Sequence, residues 1–237
     1  LLAPEFSIQM RIASFLSALD EKIDLNRQTN QTLEAIAQTI FEEWFINFNF
    51  PASTGEMKDS ELGLIPKGWR IAKFEEFIKR FSVGQKYDQK SALTDGNVPI
   101  LDQGKSGIIG YHNDIPGVKA SLDEPVVVFA NHTCYMRLIT FDFSTIQNVL
   151  PFIGDGVDTV WTYFATKDRI RFSEYKGHWP DFIIEKLALP EKKLTCDYRK
   201  IIDPLVHLIS FNDQEIQTLV EIRDRLLLKF MDGEIEV

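Results

Sequence analysis

The chain opens with a long segment in which apolar residues recur at alternating spacings of four and three. The pattern runs from Ile12 to Trp44 and spans more than four heptads. A heptad repeat of that length is typical of a coiled coil rather than of an ordinary surface helix. We therefore predict a first long helix within residues 1–48. Its seam positions are Ile12, Leu16, Leu19, Ile23, Asn26, Asn30, Leu33, Ala37, Ile40 and Trp44.

The same seam returns near the other end, because the sequence nearly repeats itself at an offset of 186 residues. Asn26 is matched by Asn212, and Gln-Thr-Leu at residues 31–33 by the same tripeptide at residues 217–219. The repeat predicts a second helix within residues 196–237. Its seam positions are Tyr198, Ile202, Leu205, Ile209, Asn212, Ile216, Leu219, Arg223, Leu226 and Phe230.

Asparagine occurs within both seams, at Asn26, Asn30 and Asn212. A buried Asn lowers the stability of a coiled coil but selects its register and partner. We therefore expect the two helices to pair, antiparallel within one chain or across a dimer, with these residues fixing the register. Replacing Asn30 by Ile should then raise stability and loosen the register. The alternative is a pair of helices that each pack on a domain core.

The middle of the chain has a different periodicity. Residues 49–68 are rich in Pro, Gly and Ser and indicate a linker. From Trp69 onward, short apolar or alternating runs such as residues 125–130 and 138–143 predict strands separated by Gly, Asn and Asp turns. Residues 159–165 fit a helix or a strand. The fold class is therefore α+β: one globular domain with a curved β-sheet over residues 69–195, flanked by two long helices that form an antiparallel coiled coil.

The charge distribution changes what composition alone suggests. The formal net charge of −9 argues against nucleic acid, but the acid is concentrated at the two ends. Residues 1–65 carry 4 Lys/Arg against 10 Asp/Glu, residues 201–237 carry 3 against 8, and residues 66–200 carry 19 against 17. The middle segment is therefore mildly basic and compatible with DNA. Two distant cysteines and the lack of a long apolar run favour a cytoplasmic protein with no membrane contact.

Motifs for catalysis are weak. The sequence contains no glycine-rich dinucleotide or phosphate-binding pattern and no His/Cys metal cluster. Asp155 and Asp158 have the spacing of a metal pair, but their glycine-rich context is more typical of a turn. His132 and Cys134 would share one face of a strand, where a packed cysteine is the usual state. We therefore expect no catalytic residue, metal or cofactor.

Five segments resemble the specificity subunits of type I restriction–modification systems. Residues 9–45 (QMRIASFLSALDEKIDLNRQTNQTLEAIAQTIFEEWF) are similar to the central conserved region of that family. Residues 62–69 (LGLIPKGW) resemble the entry into a target recognition domain, and residues 221–237 (EIRDRLLLKFMDGEIEV) resemble the closing conserved helix. Residues 99–114 and 126–133 are similar to segments common in recognition domains.

The resemblance implies a DNA-recognition protein without activity of its own. Such subunits carry two recognition domains separated by an antiparallel helix pair, and each domain reads one half of a split DNA site. The helix pair sets the spacing and binds methyltransferase (M) subunits, and restriction (R) subunits join through the complex. This chain would supply one recognition domain, as a half-subunit, and a homodimer through the helices would restore the full plan.

Loop residues with hydrogen-bonding side chains are the candidates for reading bases, since amides pair with adenine and cationic groups with guanine. The candidate base contacts are Gln103, Lys105, His112, Asn113, Asn131, His132, Thr133 and Arg137. The candidate phosphate contacts are Lys86, Lys90, Lys167, Arg169, Arg171 and Lys176. Residues 103–113 are expected to form one glycine-punctuated loop. Tyr87, Tyr111 and Trp179 could stack on the nucleic acid or pack in the core.

Two other functional classes remain open. The chain could be the recognition half of a fused restriction–methylation enzyme, which a methyl-donor binding assay would reveal. It could also be a non-catalytic coiled-coil adaptor whose middle domain binds protein, in which case it would not shift any DNA in a gel.

Overall fold

The structure is a computed structural model that describes residues 5–104, 107–174 and 176–232, with side chains described as far as residue 230. Within these ranges the chain forms two compact units. The helical unit comprises residues 5–37 and 203–232, and the mixed unit comprises residues 38–202. The α+β class with two long helices is confirmed.

Four α-helices, one short 3-10 helix (Phe74–Glu76) and eleven strands lie in the described part of the chain. The helices are α1 (Phe6–Phe45), α2 (Thr159–Thr166), α3 (Trp179–Ile183) and α4 (Lys192–Asp232). The strands are β1 (Met57–Ser60), β2 (Gly63–Pro66), β3 (Arg70–Lys73), β4 (Ile78–Arg80), β5 (Val98–Leu101), β6 (Ile108–His112), β7 (Val126–Ala130), β8 (Met136–Ile139), β9 (Ser144–Thr145), β10 (Val149–Gly154) and β11 (Lys186–Leu189). None of the described helices is long and apolar enough to cross a membrane.

The helical unit is an antiparallel pair formed by α1 and α4. Arg223 forms an ion pair with Asp20 at 2.8 Å, and Lys22 forms one with Glu215 at 3.0 Å, so α1 residues early in the chain meet α4 residues late in the chain. Every seam position predicted from the heptads is buried or half-buried along both helices. The predicted antiparallel coiled coil within one chain is therefore confirmed.

A polar layer interrupts this apolar seam. The amide of Asn212 donates to Asn30 Oδ1 at 2.8 Å, and the Asn30 amide donates to Asp213 at 2.7 Å. The amide of Asn26 donates to Glu215 at 2.6 Å. These three Asn side chains are therefore hydrogen-bonded across the two helices, and the bonds form only in this register.

The carboxyl of Glu215 is stabilised in its charged form by this layer. Its pKa lies below the usual value, first because Asn26 donates a hydrogen bond to it and then because Lys22 does. A carboxyl with a lowered pKa contributes stability above its unfolded pKa and loses that contribution as the pH falls through its folded pKa. The polar layer should therefore weaken only in acid.

The mixed unit is built on a four-stranded antiparallel sheet in the order β4-β10-β7-β8. A second sheet of order β6-β5-β9 and two antiparallel pairs, β1-β2 and β3-β11, complete it. All five residues of β7 are buried, which agrees with the continuous apolar run at residues 126–130. A strand buried on both faces lacks the alternation of a half-exposed strand.

The two faces of β7 pack against different kinds of side chain. Val126 and Val128 belong to an aliphatic cluster with Leu101 of β5 and Phe143 next to β9. On the other face, Phe129 stacks on Phe182 of α3 with ring centroids 4.7 Å apart. The central sheet therefore separates an aliphatic layer from an aromatic layer, and α3 covers the aromatic one.

Three segments differ from or refine the sequence prediction. The expected linker contains the hairpin β1-β2, closed by a Ser60 side chain that donates to the Gly63 carbonyl at 2.6 Å. The segment that fitted a helix or a strand is the helix α2, whose first turn is capped by the Asp158 carboxylate. The expected loop at residues 103–113 is wrong in its second half, because residues 108–112 pair with β5 as β6.

Candidate nucleic-acid interface

Two of the candidate segments meet at one edge of the mixed unit. The Gln103 side-chain oxygen accepts the His132 backbone N–H at 3.0 Å, and the Gln103 carbonyl accepts the Thr133 hydroxyl at 2.7 Å. Gln103 follows β5, whereas the turn at residues 131–133 joins β7 to β8. The structure therefore brings these three candidates together, although Gln103 is about thirty residues away in the sequence.

The loop that follows β5 is held at both ends. Asp102 donates its backbone N–H to the Gly107 carbonyl at 3.1 Å, and its carboxylate accepts the Gly104 N–H at 2.9 Å. Arg137 of β8 donates to the same Gly107 carbonyl at 3.0 Å. Lys105 lies outside the described residues. The loop is therefore anchored to β8 as well as to its own strand.

Gly107 is required at the base of this loop. Its φ is +84°, a conformation that side chains rarely adopt, and a Cβ at this position would overlap the Arg137 guanidinium. The half-buried Arg137 therefore packs directly on the backbone of the loop. Its position indicates that it shapes the loop, and its guanidinium is already engaged with protein.

Asn131 connects the β7–β8 turn to α3. Its carbonyl accepts the His178 N–H at 2.9 Å, and its side-chain oxygen accepts the Trp179 N–H at 2.8 Å. Gly177 approaches so closely that a Cβ there would lie 2.8 Å from the Asn131 amide nitrogen. Because its side-chain oxygen is used inside the protein, Asn131 is better placed to position the turn than to pair with a base.

The assignment of His112 as a base contact is wrong for this conformation, because only 3% of the residue is exposed. Its Nδ1 accepts the Asp114 backbone N–H at 3.1 Å, which leaves the proton on Nε2. Nε2 then donates to the Ser144 hydroxyl at 2.9 Å. The ring stacks on Tyr87 at a centroid distance of 4.1 Å, and the Tyr87 hydroxyl lies 3.1 Å from Nδ1. His112 thus links β6 to β9 and to the segment around Tyr87.

Asn113, Lys86 and Lys90 belong to the surface around this buried histidine. Asn113 is exposed, and its side-chain oxygen accepts the Asn97 N–H at 3.1 Å. Both lysines are exposed in the segment that passes Tyr87, and Lys90 lies within a turn capped by Asp88. These three side chains are therefore accessible to solvent. They lie in segments other than the two that contain Gln103 and Thr133.

The remaining cationic candidates differ in their surroundings. Lys167 and Arg169 line a cleft of the mixed unit together with Gln38, Glu42 and two aromatic rings. The Lys167 ammonium lies 5.4 Å from the centre of the Tyr163 ring. Arg171 is exposed.

Lys176 is paired with two acids. Its ammonium lies 3.2 Å from both Glu174 and Asp181. The hydrogen bond to Glu174, followed by that to Asp181, raises the pKa of Lys176 above its usual value. Lys176 is therefore charged but largely compensated, and it is a weaker phosphate ligand than Arg171 would be.

Two residues at this edge were not among the candidates from the sequence. The Arg80 guanidinium lies 5.6 Å above the Trp179 ring, and Phe172 is exposed beside His178. Trp179 itself packs on Phe129 and Phe152, so core packing dominates for that ring. In the sequence, the signal for Phe172 was an aromatic residue placed within a run of cationic residues. Arg80 had no such signal, because its role depends on the pairing of β4 with β10.

Comparison with known proteins gives a consistent answer, although no family model matches the chain. The specificity subunit of the type I restriction enzyme MjaIX from Methanocaldococcus jannaschii is 22% identical across 97% of this chain. That of EcoR124I/EcoR124II from Escherichia coli is 24% identical across 74% of it. That of HindI from Haemophilus influenzae is 48% identical over 46 residues. The chain is therefore similar, over most of its length, to the specificity subunits of type I restriction enzymes.

The fold of the chain is also shared with a solved structure. The specificity subunit of the type I restriction–modification system from M. genitalium superimposes with a TM-score of 0.55 over 94% of this chain, at 14% identity. That identity shows a shared fold and no more. The chain spans 59% of the MjaIX subunit and 60% of the M. genitalium chain, so it matches only part of each specificity subunit.

Proposed function

We propose that this chain recognises a DNA sequence as the non-catalytic specificity component of a type I restriction–modification system. The observation that carries the proposal is the contact between the loop after β5 and the β7–β8 turn, where Gln103 fixes the backbone of His132 and the hydroxyl of Thr133. Base reading needs polar side chains on loops that a rigid scaffold holds in place. These loops are joined to each other and to buried strands.

The residues at the contact between the loop after β5 and the β7–β8 turn have two different roles in this proposal. Arg137 and Asn131 hold the loops, since their polar atoms bond to Gly107 and to α3. His132 and the amide nitrogen of Gln103 are the groups that face a base in this proposal, whereas the Thr133 hydroxyl is engaged with the Gln103 carbonyl and holds the turn. Arg171 supplies a phosphate contact, which fixes orientation without reading sequence.

The helical unit is assigned to protein partners. Its described residues carry 6 Lys/Arg against 11 Asp/Glu, so it repels a phosphate backbone. We infer that it binds methyltransferase (M) subunits and that restriction (R) subunits join through the complex. The chain itself supplies no catalytic group and requires no cofactor in this proposal. A cytoplasmic location stays a prediction.

A second copy of this chain is the proposed partner of the end formed by residues 6–15 and 222–230. The 186-residue repeat makes Leu227 equivalent to Phe41. Phe41 is 4% exposed and packs on Tyr198 within the mixed unit, whereas Leu227 is 43% exposed. The neighbouring Leu228 and Met10 are also exposed. Phe41 is thus covered by the mixed unit, whereas its repeat equivalent Leu227 is exposed. A recognition domain of the second copy would cover Leu227 in the same way.

Dimerisation would give two recognition domains with exact two-fold symmetry, and such a dimer would bind a palindromic split site. Light scattering at tens of micromolar should therefore report twice the chain mass. Leu227→Asp should reduce that mass, because a charge cannot be buried unpaired at the interface. Leu208→Asp, the same change at a leucine of α4 that is also 43% exposed but lies outside this end, serves as the control. A monomer that stays monomeric when methyltransferase subunits are added would contradict dimerisation.

The DNA-reading proposal predicts different behaviour for two kinds of variant. Gln103→Ala and His132→Ala should cost roughly 1–3 kcal/mol on the best duplex and relax preference at one or two base pairs. Arg171→Ala should weaken all duplexes alike and reduce the slope of log affinity against log salt by about one. The reason is that a base contact exists only with the right base, whereas a phosphate is always present.

The measurement starts with selection of bound duplexes from a randomised pool, with and without methyltransferase subunits. Affinities of the variants are then compared on the selected and on scrambled duplexes at two salt concentrations. If Gln103→Ala and His132→Ala weaken every duplex equally, these loops do not read bases. If the wild-type chain with its partners selects no sequence at all, the chain is an adaptor for proteins instead.

A further inference from the structure

Phe172 is an exposed aromatic residue held at a fixed place on the surface. It leaves 57% of its surface in contact with water. Behind it lies His178, whose ring centroid is 6.0 Å from that of Phe172 at an angle of 66°. His178 is itself buried, and its Nε2 lies 3.1 Å from the Glu174 carbonyl, which accepts its proton. The ring of Phe172 is thus supported from the protein side and open on the other.

The segment that carries Phe172 is tied to the proposed reading surface. His178 donates its backbone N–H to the carbonyl of Asn131, and the Asn131 side chain accepts the next N–H, that of Trp179. Asn131 is followed directly by His132, whose backbone is bound by Gln103. One short series of hydrogen bonds therefore connects the support of Phe172 with the turn proposed to read bases.

The charges around Phe172 favour a polyanion. Arg169 and Arg171 precede it, both exposed. The acidic residues that follow, Glu174 and Asp181, share one cation, because the Lys176 ammonium lies 3.2 Å from both. Residues 167–181 carry 4 Lys/Arg against 3 Asp/Glu, so the net charge of this segment is +1. A slightly cationic surface around the ring is unfavourable for an apolar docking site on a basic protein partner and favourable for nucleic acid.

Phe172 contrasts with Trp179, the other aromatic residue of this edge. The Trp179 ring packs on Phe129, Phe152 and Phe182 and is covered by Arg80. Core packing therefore accounts for the position of the Trp179 ring. Phe172 has no equivalent role in the aromatic layer, and burial of its exposed face would be gained only in a complex.

We propose that Phe172 is an apolar contact to duplex DNA, packing its ring against base edges and sugars in the groove beside the bases read by the β7–β8 turn. The inference rests on the proposed DNA-reading function and adds a residue to it. Aromatic side chains contact the thymine methyl group in the major groove and can enter between base steps in the minor groove. His178 and Asn131 are the positioning residues of this contact, because they hold the ring without facing the ligand.

The test compares Phe172→Ala with Phe172→Leu and with a matched control, Phe141→Ala. Phe141 is also exposed, at 41%, but follows β8 at the end remote from the 131–133 turn. Phe172→Ala should bind the selected duplex about fivefold to a hundredfold more weakly, the range expected for one lost aromatic contact. Phe172→Leu should recover much of that loss, because it keeps apolar surface. The salt dependence should not change, since no charge is removed.

The outcomes separate this inference from the proposed function. Wild-type chain that selects a sequence, together with Phe172→Ala that binds within twofold of Phe141→Ala, would overturn the inference alone. Unchanged DNA affinity with weakened binding of methyltransferase subunits would assign Phe172 to a protein interface instead. A wild-type chain that selects no sequence would overturn both. Thermal melts of each variant should match wild type, because the ring is exposed.

Discussion

Replacing His112 by alanine should lower the free energy of unfolding by about 3–5 kcal/mol and leave the preferred DNA sequence unchanged. The substitution opens a cavity beside Tyr87, whose ring stacks on His112. It also removes the acceptor of the Asp114 N–H and the donor to Ser144. The loss of these partners adds to the cost of the cavity, because polar groups left unpaired in the core keep their full desolvation penalty.

Chemical denaturation of His112→Ala measures this loss, and the neighbouring variant Asn113→Ala is its control. Asn113 is exposed and makes one side-chain bond to the Asn97 backbone, so its removal should cost less than about 1 kcal/mol. His112→Phe keeps the stacking on Tyr87 and removes both hydrogen bonds, which separates the two contributions. If His112→Ala melts like wild type and binds a different set of duplexes, the histidine reads DNA in a conformation other than this one.

The long helices could be predicted from the sequence because their signal is local and repeated. Ile23, Asn26 and Ala37 lie on the seam that the heptads indicate, and all three are buried. The repeat at 186 residues adds independent support, since Asn26 and Asn212 occupy equivalent positions in the two helices. A periodic pattern over four heptads is rarely produced by any other structure.

The candidate site was predicted only in part, because burial there depends on contacts between distant segments. His112 looks like an exposed loop residue until β6 pairs with β5, and Ser144, its partner, lies 32 residues away. Asn131 is bound to Trp179 across 48 residues. Hydrogen bonds between residues so far apart in the sequence produce no periodic pattern from which they could be predicted. The two hydrogen bonds that join Gln103 to His132 and Thr133 were likewise not predicted from the sequence.

The seam position of Asn30 was predicted correctly, but the structure changes the expected effect of replacing it. From the sequence, Asn30→Ile alone should raise stability. The structure changes that expectation, because Asn212 is only 6% exposed and donates its amide to Asn30 Oδ1 at 2.8 Å. Asn30→Ile would leave this amide in the seam without its acceptor. We now expect the single substitution to cost about 1–3 kcal/mol.

Removing both members of the pair should reverse the sign. In Asn30→Ile/Asn212→Ile neither polar group remains in the layer, and apolar packing replaces it, so stability should rise by about 1–4 kcal/mol, as when buried polar pairs are replaced elsewhere. The register should loosen at the same time, because the cross-helix bond formed only in this alignment is lost. Thermal and chemical unfolding give the stability of each variant, and sedimentation velocity reports whether more than one assembly forms.

Gln31→Ile is the matched control for this pair, since it makes a similar change at an exposed position next to Asn30. It should alter the free energy of unfolding by less than about 0.5 kcal/mol. The single, the double and the Asn212→Ile variants then form a thermodynamic cycle whose coupling energy isolates the Asn30–Asn212 interaction. A coupling energy near zero with a single sedimenting species throughout would mean that Asn26 and its bond to Glu215 set the register alone.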